Sequence, residues 1–315
     1  MHRLVRALAV GTLLIAACGP SPAATSPTPA TSAPATTAAT ATPSPTPSAP
    51  PNPKQVLATT TLFADMAANV GGNRIKAESI VPAGSHVEEF EPKPEDSKKV
   101  ATADLIIKNG LDLDDPWAEP LLKDKKASAV VLTLTEGLPT IDDDNPHMWF
   151  DVQIARKYVE KIRDALIALD AAGKDYYMTR AKDYDDQLVK LDADVKAQIA
   201  TIPQARRKLV TSHDAFPYYA KAYGFEIVGF AQIEPGHDPS PAELAELVKT
   251  IKAAGVPAIF SEVGVSPAIA QTLAREAGVT KVVTDLPTDS VVAPPGDTYI
   301  GVVRVVTQKI TDALK

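Results

Sequence analysis

At 315 residues the chain is long enough for two lobes of ordinary domain size. Its 39 acidic residues outnumber 32 basic ones, and without any basic cluster this argues against a nucleic-acid partner. One cysteine excludes an intrachain disulfide, so the fold must rest on its core.

The chain begins with Arg3 and Arg6, then an apolar stretch over 7–17, then Ile15-Ala16-Ala17-Cys18. That order is a secretory signal, and the apolar part is too short to span a bilayer. Cys18 stands where a small-residue cleavage site falls, and the segment resembles a bacterial lipobox. Within residues 1–18 the segment before Cys18 is therefore expected to be removed and Cys18 to be lipidated as the first mature residue, anchoring the protein to the outer face of a membrane, cell-surface or periplasmic. Residues 19–53 are almost wholly Pro, Thr, Ser and Ala, with no charge between Arg6 and Lys54. Such a segment has too little apolar surface to offset the entropy of ordering. It reads as an extended tether able to reach about 100 Å, with a composition that also suits an O-glycosylated stalk.

From residue 54 onward strand-like runs alternate with helical ones. Strands are predicted near 56–61, 77–81, 105–108 and 129–134, then near 208–212, 226–231, 258–261 and 281–284. Helical patterns include 62–70, 241–254 and 268–277. This alternation indicates βαβ units and parallel sheets, giving α/β lobes at 54–173 and 204–315. Between them, residues 174–202 contain neither Gly nor Pro, and Leu188, Leu191, Val195 and Ile199 recur at helical spacing. Gly173 and Pro203 mark the ends. A helix of roughly 40 Å over 174–203 would join the lobes and limit their hinging.

Histidine is scarce, at five residues, and three of them lie just beyond strands or in polar loops: His86, His147 and His213. Ligands in open α/β sheets bind beyond the carboxyl ends of strands, and neutral imidazole is the commonest metal ligand. Four segments are candidates: 82–92, 145–151, 211–216 and 283–287, two from each lobe, which places a site in the interlobe cleft. Imidazole with carboxylate suits zinc, manganese or iron, and four protein ligands would close the site.

Taken in order, Lys108-Asn109-Gly110-Leu111, Asn145-Pro146-His147-Met148-Trp149, Thr211-Ser212-His213-Asp214-Ala215-Phe216, Tyr223-Gly224, Pro239-Ser240-Pro241 and Ile259-Phe260-Ser261-Glu262 resemble the metal-binding solute-binding proteins of zinc and manganese ABC importers. The resemblance spans nearly all of residues 56–314. It implies metal ligands at His147, His213 and Asp285, with histidine rather than glutamate at 213 leaning toward zinc. The family's first segment usually reads Gly-x-Asp-Pro-His-x-Tyr-Glu-Pro. Aligned on Gly84 and Glu91-Pro92, this chain has Glu88 at the ligand position and His86 where Asp normally stands. Residues two apart in an extended stretch share a side, so either can reach a metal. His86 would make a three-histidine, zinc-like site, whereas Glu88 would make a harder manganese- or iron-like one. Ligand chemistry favours His86 and zinc, so that His86→Ala should weaken zinc binding more than Glu88→Gln; register favours Glu88.

Other residues carry weaker signals. His237 reads as a solvated loop residue, Asp142-Asp143-Asp144 as an acidic loop, and Trp149 as cleft-wall packing. Glu262 is either an ordinary salt-bridge partner or an acceptor that orients a ligand histidine. Ser212-His213-Asp214 are chain neighbours and cannot form a catalytic triad. No His-rich metal-gathering loop and no HExxH motif are present. The expected function is metal capture by a monomeric, lipid-anchored receptor that is not an enzyme and serves an ABC permease and its ATPase. A surface adhesin with a structural metal and a metallohydrolase are the alternatives.

Overall fold

The computed structural model describes residues 52–141, 144–232 and 239–315. Cys18, the 19–53 segment up to residue 51, Asp142, Asp143 and His237 lie outside the described residues.

The first lobe runs β1 (Lys54–Ala58), α1 (Thr61–Gly71), β2 (Ile75–Ser79), α2 (Pro94–Thr102), β3 (Leu105–Lys108), α3 (Asp115–Leu121) and β4 (Val130–Thr133). All pairings are parallel, in the order β2-β1-β3-β4. Strand β3, Leu-Ile-Ile-Lys, is buried along its whole length, as a strand covered on both faces must be. Helix α1 starts where the Thr60 side chain accepts a hydrogen bond from the Phe63 amide. Its buried face, Leu62, Phe63, Met66 and Val70, follows the helical repeat.

Two antiparallel helices follow, α4 (Val152–Leu169) and α5 (Lys174–Ile199). Helix α5 stops at Ile199, four residues short of the predicted 203, because Pro203 disfavours helical backbone before it. The connector is more than one helix. Helices α4 and α5 pack on each other and on α1, and α9 (Tyr299–Leu314), the last helix of the chain, packs on α5 and α1.

The second lobe comprises β5 (Lys208–Thr211), α6 (Pro217–Tyr223), β6 (Glu226–Phe230), α7 (Pro241–Ala254), β7 (Ala258–Glu262), α8 (Ala268–Ala277) and β8 (Lys281–Leu286). Strands β5-β6 and β7-β8 form two parallel pairs, and β5 lies beside β7. The spatial order β6-β5-β7-β8 thus repeats that of the first lobe. In each lobe the winding reverses between the first and third strands, and the crevice beyond their carboxyl ends is where ligands collect. One large core cluster extends from Phe63 and Trp149 through Leu188 to Phe216, Tyr219 and Tyr299, with a smaller one around Val210, Ile251, Ile259 and Leu273.

Candidate metal site

The site is assembled from loops that leave the strands of both lobes. His147 precedes a single 3-10 turn, Met148–Phe150, ahead of α4. Its amide donates to Asn145 Oδ1 at 3.0 Å, and Asn145 Nδ2 donates to the Asp214 carbonyl at 2.8 Å. Asn109, just after β3, donates to the Pro146 carbonyl at 3.1 Å. These bonds fix the His147 loop against both lobes. Behind it, Trp149 stands edge-on to Phe63 at 5.7 Å, and Phe150 lies against Phe216 at 4.8 Å.

His213 follows β5 and is held by Glu262 at the end of β7. One oxygen of the buried Glu262 carboxylate accepts from the Ser212 and His213 amides at 3.1 and 3.2 Å, and the other pairs with His213 Nδ1. A proton on Nδ1 leaves the Nε2 lone pair free, the tautomer a metal ligand needs. That Nε2 faces His147 Nε2 at 3.2 Å. Burial, with the neighbouring imidazole, pushes His147 down to about 3, so its ring is neutral at physiological pH. Burial also opposes charge on His213, but the Glu262 carboxylate outweighs it and raises the ring to about 10. A metal arriving at this pair would displace that proton.

Glu88 completes the group. Its carboxylate oxygens lie 3.7 Å from His147 Nε2 and 3.9 Å from His213 Nε2, and the three side chains can converge on one ion. Burial raises the Glu88 carboxyl despite nearby His213. A second carboxylate, Asp289, is fully buried with Oδ1 3.7 Å from His147 Nε2. Burial opposes its charge, but its hydrogen bond to His86 and the surrounding imidazoles hold it below the ordinary carboxylate range. Among the described residues, Glu88 Oε2, Asp289 Oδ1, His86 Nε2 and His147 Nδ1 are buried without a hydrogen-bond partner. Buried polar atoms are rarely left so without a functional reason.

Of the residues expected from sequence, His147, His213 and Glu88 come together, and Glu262 meets His213. His86 stands to one side, with Nδ1 3.0 Å from Asp289 Oδ2. Asp285 requires correction. Strand β8 continues to Leu286, two residues past the expected end, and side chains alternate along it. Leu286 is buried while Asp285 is exposed at φ +59°, its carboxylate accepting from Thr284 Oγ1 at 3.1 Å. Asp289, in the loop after the strand, instead lies beside His147 and His86. The signal available for it was the polar run Thr288-Asp289-Ser290 just past Pro287.

Residues 56–313 match the family model described as zinc-uptake complex component A, periplasmic. The manganese ABC transporter substrate-binding lipoprotein PsaA of Streptococcus anginosus is 30% identical over 275 residues, covering 82% of this chain and 89% of the relative. The manganese-binding lipoprotein MntA of Halalkalibacterium halodurans is 32% identical over 229 residues, covering 71% and 76%. The solved periplasmic zinc-binding protein TroA of Treponema pallidum superposes with a TM-score of 0.77 at 26% identity, covering 84% of this chain and 99% of its own.

Proposed function

The chain belongs to the zinc-uptake complex component A family, and from that premise we propose that it captures one divalent transition metal outside the cytoplasmic membrane for an ABC importer. The observation that carries this reading is the convergence of Glu88 with His147 and His213, whose Nε2 atoms are 3.2 Å apart, beside the unpartnered Asp289 Oδ1 3.7 Å from His147 Nε2. Glu88, His147, His213 and Asp289 are the proposed ligands, with Glu262 orienting His213. Four protein ligands leave no open position for an attacking water, which suits carriage rather than hydrolysis.

Two imidazoles with two carboxylates form a harder donor set than the three-histidine alternative, and this narrows zinc's intrinsic advantage over manganese and iron. Manganese or iron therefore joins zinc as cargo, and the preference for zinc argued from His86 gives way. In this reading Cys18 carries the lipid and the Pro-rich segment is the tether. The metal passes to a permease driven by its ATPase. No helix among the described residues is long and apolar enough to cross a membrane. Elemental analysis of the purified chain should find about one transition metal per molecule, lost when His147 and His213 are both replaced by alanine. Absence of metal, or its retention by that variant, would refute the proposal.

A further inference from the structure

We propose that His86 is a positioning residue, which grips one oxygen of Asp289 so that the other alone is offered to the metal. The inference rests on the metal-capture reading and concerns how this chain shapes that site. His86 Nδ1 lies 3.0 Å from Asp289 Oδ2, and the two side chains are only 9% and 1% exposed. The remaining oxygen, Oδ1, has no hydrogen-bond partner among the described residues and lies 3.7 Å from His147 Nε2.

The far side of the His86 ring is walled. A Cβ built on Gly264 would come within 3.1 Å of both Cδ2 and Nε2, so that edge of the ring lies beside Gly264 and away from Asp289. The ring therefore presents Nδ1 to Asp289. The arrangement mirrors that of Glu262 with His213. There a carboxylate orients a ligand imidazole, and here an imidazole orients a ligand carboxylate. Unheld, a carboxylate can bind a metal through one or both oxygens. Held at Oδ2, Asp289 is restricted to one.

The backbone around Asp289 does not depend on this grip. The Thr288 carbonyl accepts from Trp149 Nε1 at 3.2 Å, Ser290 Oγ accepts from the Gly84 amide at 2.9 Å, and the Val291 amide donates to Thr61 Oγ1 at 2.9 Å. Removing the imidazole should thus free the carboxylate and leave the segment in place. Asparagine is the informative substitution, since its Nδ2–H falls near the place of imidazole Nδ1 yet cannot reproduce Nε2.

The experiment compares the full chain with its His86→Ala and His86→Asn variants, after thermal melts of the metal-free proteins establish that all three fold. Manganese(II) and zinc(II) affinities are measured by competition with a chelating indicator, and cobalt(II) spectra report coordination number. His86→Ala should weaken both metals about 10–100-fold, the usual cost of losing such a partner, and its cobalt(II) bands should weaken as Asp289 becomes bidentate. His86→Asn should recover most of the affinity and the wild-type spectrum. Asparagine as damaging as alanine would make His86 a ligand itself, and unchanged binding by His86→Ala would make it a bystander; either result overturns the positioning role alone. No metal uptake by the wild-type chain would overturn the capture reading, and this inference with it.

Discussion

Between Lys281 and Asp289 the chain passes from strand to loop, and that passage decides which of two carboxylates faces the histidine pair. Asp285 is on the solvent side of β8, while Asp289 is buried beside His147 and His86. Asp289→Asn should therefore lower manganese(II) affinity by more than the ~100-fold that marks loss of an outer partner, while Asp285→Asn leaves it unchanged. Direct titration distinguishes them, and equal losses would refute the assignment. Scarcity made His147 and His213 legible in the sequence. His86 and Glu88 were harder to separate, because the argument that residues two apart share a side holds only for extended chain. Residues 83–89 are turns and bends instead, and they send Glu88 to the histidine pair and His86 to Asp289. A strand ending at 284 would place Asp285 in the following loop, but β8 runs on to Leu286 and the loop carboxylate is Asp289.

At the scale of elements, the strands and helices were legible to within a few residues because their apolar periods are regular. What the sequence did not show was non-local. The register of β7 against β8 shifts between Phe260 and Glu262, and such irregularities re-aim side chains near sites; here the shift falls where Glu262 turns toward His213. The joint between α4 and α5 is another long-range feature. Asp170 Oδ2 accepts from Arg74 Nη2 at 2.7 Å and from Arg74 Nε and Tyr177 Oη at 2.9 Å, pinning the helix hairpin to the turn after α1. Burial would raise the Asp170 carboxyl, but these donors hold it below its ordinary value. A carboxylate depressed on folding stabilises the protein above its unfolded value near 3.9 and loses that contribution as pH falls through the folded value. Asp170→Asn should therefore cost roughly 1–3 kcal/mol at pH 7, a penalty constant down to about pH 5 and shrinking below about pH 4. Urea unfolding at pH 7, 5 and 3 tests this, and an undiminished penalty at pH 3 would contradict it.

Across the whole molecule, the site is tied together before metal arrives. Helices α1, α4, α5 and α9 form one layer packed from the first lobe to the end of the chain. The aromatic wall from Phe63 through Trp149 and Phe150 to Phe216 continues it across the cleft. Residues 288–291 belong to the second lobe by sequence, yet Trp149, Gly84 and Thr61 of the first lobe hold them. A metal binding such a scaffold need not drive the lobes through a wide closure, so its free energy should emerge as stability. At a free concentration 100 times Kd, binding to the folded state alone adds about 2.7 kcal/mol. For a chain of this size each kcal/mol raises Tm by about 2–4 °C, which gives a rise of about 5–11 °C. Manganese(II) should produce that rise in a calorimetric scan while small-angle scattering of the same samples shows an almost unchanged radius of gyration. A marked contraction on loading would mean that the helical layer hinges, and that the ligands of the two lobes are brought together by the metal rather than held ready for it.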